Sequence, residues 1–368
     1  MHSFRAGEVI LLLGAGASVD ANIPDSQSMV EQVEARVQAS DSEWGKYESL
    51  YNYIKSSIFY SDGIKGNDIC DIEYNIEKLV NTLDEIRKKD DHPLFPFVGS
   101  WNPKLLEVAG SDFDNVNDFR EDIVRTLRRE WIIPDFYDEA GYYYEALETF
   151  QSELGFPLRV FSLNYDLMVE KNISDNKLER GFRENKWDFR VYDSYDPKVY
   201  LYKLHGSTDW CRDENGRLSY RDDPVSIDNV DTEIVFGTDY KLTYKDPFLY
   251  FIHELRKRCL RDARLVICVG YGFSDPHINE MVGQAIRSRE NVKILSISPF
   301  SDESGKNVPE SGEQNREIAE ALDCENSTSQ ISSWSLTAES FMNDYLNRRE
   351  LSSLFADEED LFDEAEPV

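Results

Sequence analysis

Short, continuously apolar runs alternate along this chain with segments whose apolar residues recur at helical spacing. Val9-Ile-Leu-Leu-Leu13 is apolar at every position and stops at Gly14-Ala-Gly16-Ala-Ser18. An unbroken run of that length predicts a strand covered on both faces, as in a parallel sheet. Leu158–Leu163, Val199–Leu204, Arg264–Val269 and Asn291–Ser298 are further short strand-like runs, with single polar residues among the apolar ones in the first three. The middle three run into Asn164-Tyr-Asp166, His205-Gly206-Ser207 and Gly270-Tyr-Gly272-Phe-Ser274-Asp275. All five end in Gly, Asn, His or Ser, which places the chemistry at the carboxyl edge of a parallel α/β sheet.

Between the first two runs the period changes. After Ile23-Pro24-Asp25-Ser26, the stretch Met29–Val37 predicts an amphipathic helix. Three apolar sets then follow at helical spacing: Ile72 to Ile86, Val116 to Leu127, and Tyr144 to Phe150. They predict a helical insertion, interrupted by the Pro/Gly-bearing stretch His92–Pro103. Further on, Trp210–Tyr220 predicts a hairpin around Glu214-Asn215-Gly216, because Asn-Gly supplies positive φ angles readily. Ile234–Gly237 is a short apolar stretch, and a helix is predicted from about Pro247 to Arg261. Ser301–Gln314 has loop composition; a strand-like piece, Gln330–Leu336, and a helix, Ala338–Arg348, come after it.

These elements divide the chain into four parts. Residues 1–40 and 156–300 form a Rossmann-like sheet domain, 41–155 a helical insertion, 301–350 a loop, strand and helix packing on the core, and 351–368 an acidic tail. The tail holds seven acidic residues and no basic one, with Leu354, Phe355, Leu361 and Phe362 as anchors for a partner.

Charge and cysteine content narrow the function classes. With 71 acidic against 40 basic residues, the net charge is −31. Nucleic-acid affinity comes mainly from Lys and Arg displacing counterions on phosphates, so direct DNA or RNA binding is excluded. The densest basic runs, Arg125–Arg129 and Arg256–Arg261, are short and have acids beside them. The cysteines (Cys70, Cys211, Cys259, Cys268, Cys324) are scattered and form no C-x-x-C pair, which suggests neither a disulfide framework nor a structural zinc site. The run Val9–Leu13 is too short for a membrane span or a leader's apolar core. A soluble cytoplasmic protein with no membrane partner follows as the expectation.

The loop Gly14-Ala15-Gly16-Ala-Ser18 lets backbone amides approach a diphosphate at a helix N-terminus. It is not a dehydrogenase fingerprint, whose third glycine would fall at Val19, nor a Walker A loop, which requires Gly-Lys-Ser/Thr. Taken alone, it fits a tight turn equally well.

The order of motifs adds more. Gly14-Ala-Gly16-Ala-Ser18 followed after four residues by Ile23-Pro24-Asp25 resembles the opening of the sirtuin NAD-binding domain. Asn164-Tyr-Asp166, His205-Gly206 and Gly270-Tyr-Gly272-Phe-Ser-Asp275-Pro-His277-Ile-Asn279 then follow in sirtuin order. The wording of the last two is similar to prokaryotic sirtuin-like proteins of antiphage defence. The resemblance covers residues 8 to 300 discontinuously. Two departures count against protein deacylation: only Cys211 stands where deacetylase sirtuins carry a four-cysteine zinc ribbon, and Ser26-Gln27 follows Asp25 in place of Phe-Arg.

The resemblance implies a sirtuin-type NAD-binding fold without a zinc ribbon or other metal, with NAD as substrate. It implies NAD+ hydrolysis to nicotinamide and ADP-ribose, which depletes NAD during abortive infection of a bacterium. Asn164 would orient an attacking water at the ribose, and His205 would take the proton, a task suited to an imidazole near neutral pH. Asp25 would contact the carboxamide, and Asp166 would fix the loop. Gly270, Gly272 and Ser274 would lie near the ribose and phosphates, with Ser298 on the adenosine side. His277 and Asn279 read as residues that pin their own loop, and Tyr142–Tyr144 as core or a subunit contact. The implied partners are further copies of the chain and a HerA-type hexameric ATPase, with a short Argonaute as second choice. A deacylase or ADP-ribosyltransferase and a non-catalytic NAD or ADP-ribose sensor are the rival functions.

Overall fold

The computed structural model of the chain describes residues 3–66, 68, 72, 74–87, 103–110, 113–132, 137–194, 196–213, 215–221, 232–234, 246–300 and 312–355. It contains two compact units, one made of Met1–Ile23 with Ile133–Val368 and the other of Pro24–Ile132.

In chain order the strands are β1 (Val9–Leu13), β2 (Leu158–Ser162), β3 (Leu178–Glu179), β4 (Phe182–Arg183), β5 (Lys186–Trp187), β6 (Val199–Lys203), β7 (Gly206–Arg212), β8 (Leu218–Tyr220), β9 (Thr232–Ile234), β10 (Leu265–Val269), β11 (Lys293–Ile297) and β12 (Ile331–Trp334). All belong to the first unit. Seven form a parallel sheet in the order β12-β11-β10-β1-β2-β6-β3. The five expected strands are present, with Ile331–Trp334 as a sixth and the two-residue β3 at the edge. The fold class is therefore α/β with a parallel sheet.

Every residue of β1, β2, β6 and β10 is buried, which accounts for the unbroken apolar runs. Arg159 and Lys203 are the charged exceptions within these strands. The core continues through Phe161, Tyr202 and Phe251 to Val266 and Ile294. Phe161 and Tyr202 stack with ring centroids 4.5 Å apart. The chain reaches β2 and β10 on opposite sides of β1, so the strand order reverses there, the switch point at whose carboxyl ends open α/β sheets bind ligands.

The other five strands form an antiparallel sheet in the order β4-β5-β8-β7-β9. The predicted hairpin is β7–β8, with Trp210 opposite Tyr220. Gly216 takes φ +73°, and Asp213 Oδ1 accepts from the amides of Asn215 and Arg217.

The second unit is helical, with Ser26–Gln38, Glu48–Ile64, Ile76–Arg87, Pro103–Ala109 and Asp114–Thr126 as its α-helices among the described residues. It begins earlier and ends earlier than residues 41–155. Ser26–Gln38 joins it because its side chains are spent there: Gln32 accepts from Trp131 Nε1 at 2.9 Å, and Arg36 bonds Glu130 at 2.6 Å. Tyr47 stacks on Phe119 with centroids 4.7 Å apart. At the other boundary, Tyr143 and Tyr144 bond the backbone of Ala17 and so belong to the sheet unit. The interruption at His92–Pro103 lies outside the described residues up to 102, and Pro103 opens a helix.

Two C-terminal expectations change. Gly312–Gln314 is the start of a helix, Gly312–Ala321, while residues 301–311 lie outside the described residues. The expected tail starts inside the fold: Leu351 and Phe355 are buried, with the Phe355 ring edge-on to Phe4 at 5.7 Å and Arg264 and Lys293 against it. Phe355 is a core anchor of this chain, so it is not available to a partner. Leu361 and Phe362 lie outside the described residues.

Candidate active site

The loops that leave β1 and β10 pack backbone on backbone. Gly14 N donates to Val269 O at 2.9 Å and Gly16 N to Gly270 O at 3.0 Å. Two of the amides assigned to a diphosphate are thus already bonded within the protein. The glycines are needed for this approach: a Cβ on Gly14 would stand 2.5 Å from Gly270 O, and one on Gly270 2.1 Å from Ala17 N. Gly270 also sits at φ +60°, where side chains are disfavoured. Gly272 differs, since a Cβ there meets nothing within 4 Å and the residue is exposed. After Gly14 the chain does not enter a long helix; Ala15–Ala21 forms a 3-10 turn.

Ser18, buried in that turn, is the centre of a polar cluster. Its hydroxyl donates to Asp166 Oδ2 at 2.8 Å, accepts from Asn164 Nδ2 at 3.2 Å and lies 2.9 Å from Tyr144 OH. Tyr143 and Tyr144 both donate to Ala17 O, at 2.7 and 2.9 Å. Their rings stack with centroids 4.7 Å apart. Burial pushes the Tyr144 phenol well above its ordinary pKa, and the neighbouring Tyr143 and Asp166 add to the shift, so it stays a donor. Two of the three adjacent tyrosines therefore brace the glycine loop, and Tyr142 is exposed.

Asn164 and Asp166 are set by the turn after β2. Ser162 Oγ accepts from Asn164 N at 3.1 Å, and Asp166 Oδ1 accepts from Met168 N at 3.0 Å at the start of the short helix Met168–Asn172. Lys203, at the end of β6, donates to the Asp166 carbonyl. Beneath them Arg180 bonds Asp209 at 2.7 Å and Glu170 at 3.2 Å, and Lys203 lies 3.6 Å from Glu170. Burial raises the Glu170 carboxyl, opposed by Lys203 and Arg180. For Arg180 burial works downward, but Asp209 and Glu170 outweigh it and hold the guanidinium charged.

His205 occupies the turn from β6 into β7, with its ring centroid 6.3 Å from that of Tyr165. Thr208 ties the two turns together, its N and Oγ1 both donating to Tyr165 O at 3.1 and 3.2 Å. On the other side, His205 Nε2 lies 3.3 Å from Asp275 Oδ2. Asp275 is the residue that motif reading passed over. The signal for it was Asp275-Pro276, an N-cap followed by proline at the first helical position.

The structure thus joins Ser18 to Asn164 and Asp166, and the Asn164–Asp166 turn to His205. Ser274 is exposed on the β10 loop, and Ser298 follows β11, which β10 separates from β1. Asn279 does pin its own loop: it donates to Phe273 O at 2.6 Å and accepts from Tyr271 OH at 2.7 Å. Asp25 belongs to the helical unit, where its side chain caps Ser26–Gln38 by accepting from Ser28 N at 2.7 Å. Cys211, Cys259, Cys268 and Cys324 are free and buried, and burial raises the Cys259 thiol to about 12. Among the described residues no group of three or more His, Cys, Asp or Glu could hold a metal, and no helix is long and apolar enough to cross a membrane.

A family profile described as a SIR2-like domain matches residues 158–321, the stretch that carries Asn164, His205 and Asp275. Among solved structures, the chain is similar to a Sir2 homologue in complex with NAD, at 14% identity over 94% of this chain and 90% of that one, with a TM-score of 0.43. It is also similar to a mutant Sir2 homologue in complex with ADP-ribose, at 13% identity over 95% and 93% with a TM-score of 0.41. A Sir2 bound to a p53 peptide and NAD+ is similar at 13% identity over 94% and 92%, with a TM-score of 0.40. No curated protein matches the chain.

Proposed function

We propose that the chain is an NAD+ hydrolase that cleaves the nicotinamide–ribose bond to nicotinamide and ADP-ribose. The observation that carries the reading is the buried cluster in which Ser18 holds Asn164 and Asp166 beside the turn bearing His205, the last three lying within the SIR2-like match. Departure of neutral nicotinamide leaves an oxocarbenium-like ribose. Asn164 orients a water toward that carbon, and the imidazole of His205 takes the water's proton as the new C–O bond forms. The loop bearing Gly270, Gly272 and Ser274 takes the ribose and phosphates; open space over Gly272 gives backbone room for them. Ser298, toward the adenosine, completes the assignment within the sheet unit.

Burial supports gating. Asn164 is 8% and His205 2% exposed, and both ring nitrogens of His205 are shielded from solvent. A ribose reaches them only after the surrounding loops move. We assign that movement to assembly: homo-oligomers joined by a HerA-type hexameric ATPase, ahead of a short Argonaute, in a cytoplasmic antiphage response that depletes NAD. At a net charge of −31, contact with invading nucleic acid belongs to the partner.

The test is nicotinamide release from NAD+ by purified protein, alone and with a HerA-type ATPase added as the proposed partner. Release that Asn164→Ala or His205→Ala abolishes is the expected result, and full activity in either variant overturns the mechanism. The same burial would suit a non-catalytic NAD sensor, which would bind NAD+ without turnover. An acylated-peptide arm detects a deacylase.

A further inference from the structure

We propose that Asp275 is a positioning residue that fixes His205 with its proton on Nε2 and leaves Nδ1 as the proton acceptor. The inference deepens the hydrolase reading and rests on His205 as its base. Asp275 divides its two oxygens. Oδ1 accepts from His277 N at 3.0 Å and Ile278 N at 3.4 Å, capping the helix Pro276–Ser288, and Oδ2 stands 3.3 Å from His205 Nε2. The side chains are 4% and 3% exposed. Pro276 holds the residue before it in extended backbone, here φ −92° and ψ 105°, so the direction of the carboxylate is set by the chain itself.

A carboxylate at the N-terminus of a 13-residue helix is favoured in its charged form, and a charged carboxylate only accepts. A hydrogen on the imidazole nitrogen nearest that carboxylate is attracted to it where a lone pair would be repelled, which in the neutral ring favours the lone pair on Nδ1. Among the described residues, neighbouring charged and titratable groups have partners of their own. Asp166 takes the Ser18 hydroxyl, Lys203 bonds the Asp166 carbonyl, and Asp209 pairs with Arg180. Tyr165 meets the imidazole as a tilted ring, and His277 donates its backbone amide to Asp275. When Nδ1 takes a proton from water, the resulting imidazolium stands beside the Asp275 carboxylate, and no proton need pass to Asp275.

Asp275→Asn separates this role from the helix cap. Asparagine caps as well as aspartate, while its NH2 group would face Nε2 and demand a lone pair there. The experiment is two-bond 1H–15N NMR of histidine-labelled full-length protein without NAD, above the imidazole titration, with His205→Ala assigning the signal. The expected result is Nε2–H in the wild type and Nδ1–H in Asp275→Asn, with nicotinamide release lowered about 10⁴-fold, the scale on which a wrong tautomer acts. Asp275→Ser caps the helix without reaching His205, and should lower the pH at which His205 titrates. Nδ1–H in the wild type, or an unchanged tautomer in a folded Asp275→Asn, overturns the proposal. Should the tautomer reverse while the wild type releases no nicotinamide with or without its partner, the pairing stands and the hydrolase reading falls.

Discussion

Ser18 Oγ stands between Asn164 and Asp166, accepting from the first at 3.2 Å and donating to the second at 2.8 Å across 146 residues of sequence. Ser18→Ala leaves a buried amide and a buried carboxylate without that partner. A loss of roughly 1–3 kcal/mol is expected, since the desolvation of each group is no longer offset. Chemical denaturation measures it, and nicotinamide release should fall further than stability alone explains because Asn164 is no longer held.

Gly270 and Gly272 should respond in opposite ways to alanine. At Gly270 the added carbon meets the Ala17 amide at 2.1 Å and the backbone is left-handed, so Gly270→Ala should lower the melting temperature sharply or prevent folding. Gly272→Ala meets no protein atom, so the melting temperature should hold while NAD+ affinity drops. Thermal melts and calorimetric titration check both.

Tyr143 and Tyr144 share one acceptor, Ala17 O. Replacing either with Phe leaves the carbonyl satisfied by the other and should cost about 1 kcal/mol or less. The double variant leaves it without both phenols and should cost more than the two singles together, a coupling that a double-mutant cycle reads directly.

The ion network beneath the site gives a pH signature. Arg180→Met strands the Asp209 carboxylate and leaves Glu170 with Lys203 alone; with an Arg180 side chain 18% exposed, the lower end of the usual ~3–5 kcal/mol for breaking a buried pair is expected. Glu170 has its carboxyl raised by burial above the ordinary 4.5. The folded state thus holds that proton more tightly than the unfolded chain does. The resulting stabilisation is complete below about pH 4.5 and is lost as pH rises through the raised value. Melting temperatures of wild type minus Glu170→Gln should therefore decline as pH increases from that point.

The parallel sheet was legible because double-sided burial writes itself as unbroken apolar runs, as in Val9–Leu13 and Leu265–Val269. Two-residue strands such as β4 and β5 leave no periodicity to read. The unit boundary between Ile23 and Pro24 was hidden because Ser26–Gln38 has an ordinary amphipathic pattern that does not say which body it covers. Motif order picked out Ser18, Asn164, Asp166 and His205, which the fold brings together, but gave Asp275 no place beside them. Its capping role is local and visible, but its approach to His205 joins positions 70 residues apart, and only the folded sheet brings them together.

The central strand has a temporal consequence. β1 is made first, yet one of its neighbours, β10, is encoded more than 250 residues later. Contacts of such long sequence separation close late and slowly. A nascent chain that has emerged only as far as His205 lacks both the second wall of the glycine loop and Asp275. Synthesis itself therefore delays the cluster until β10 has been made, so that a product truncated near His205 carries Ser18, Asn164 and Asp166 without the strand that closes around their loop.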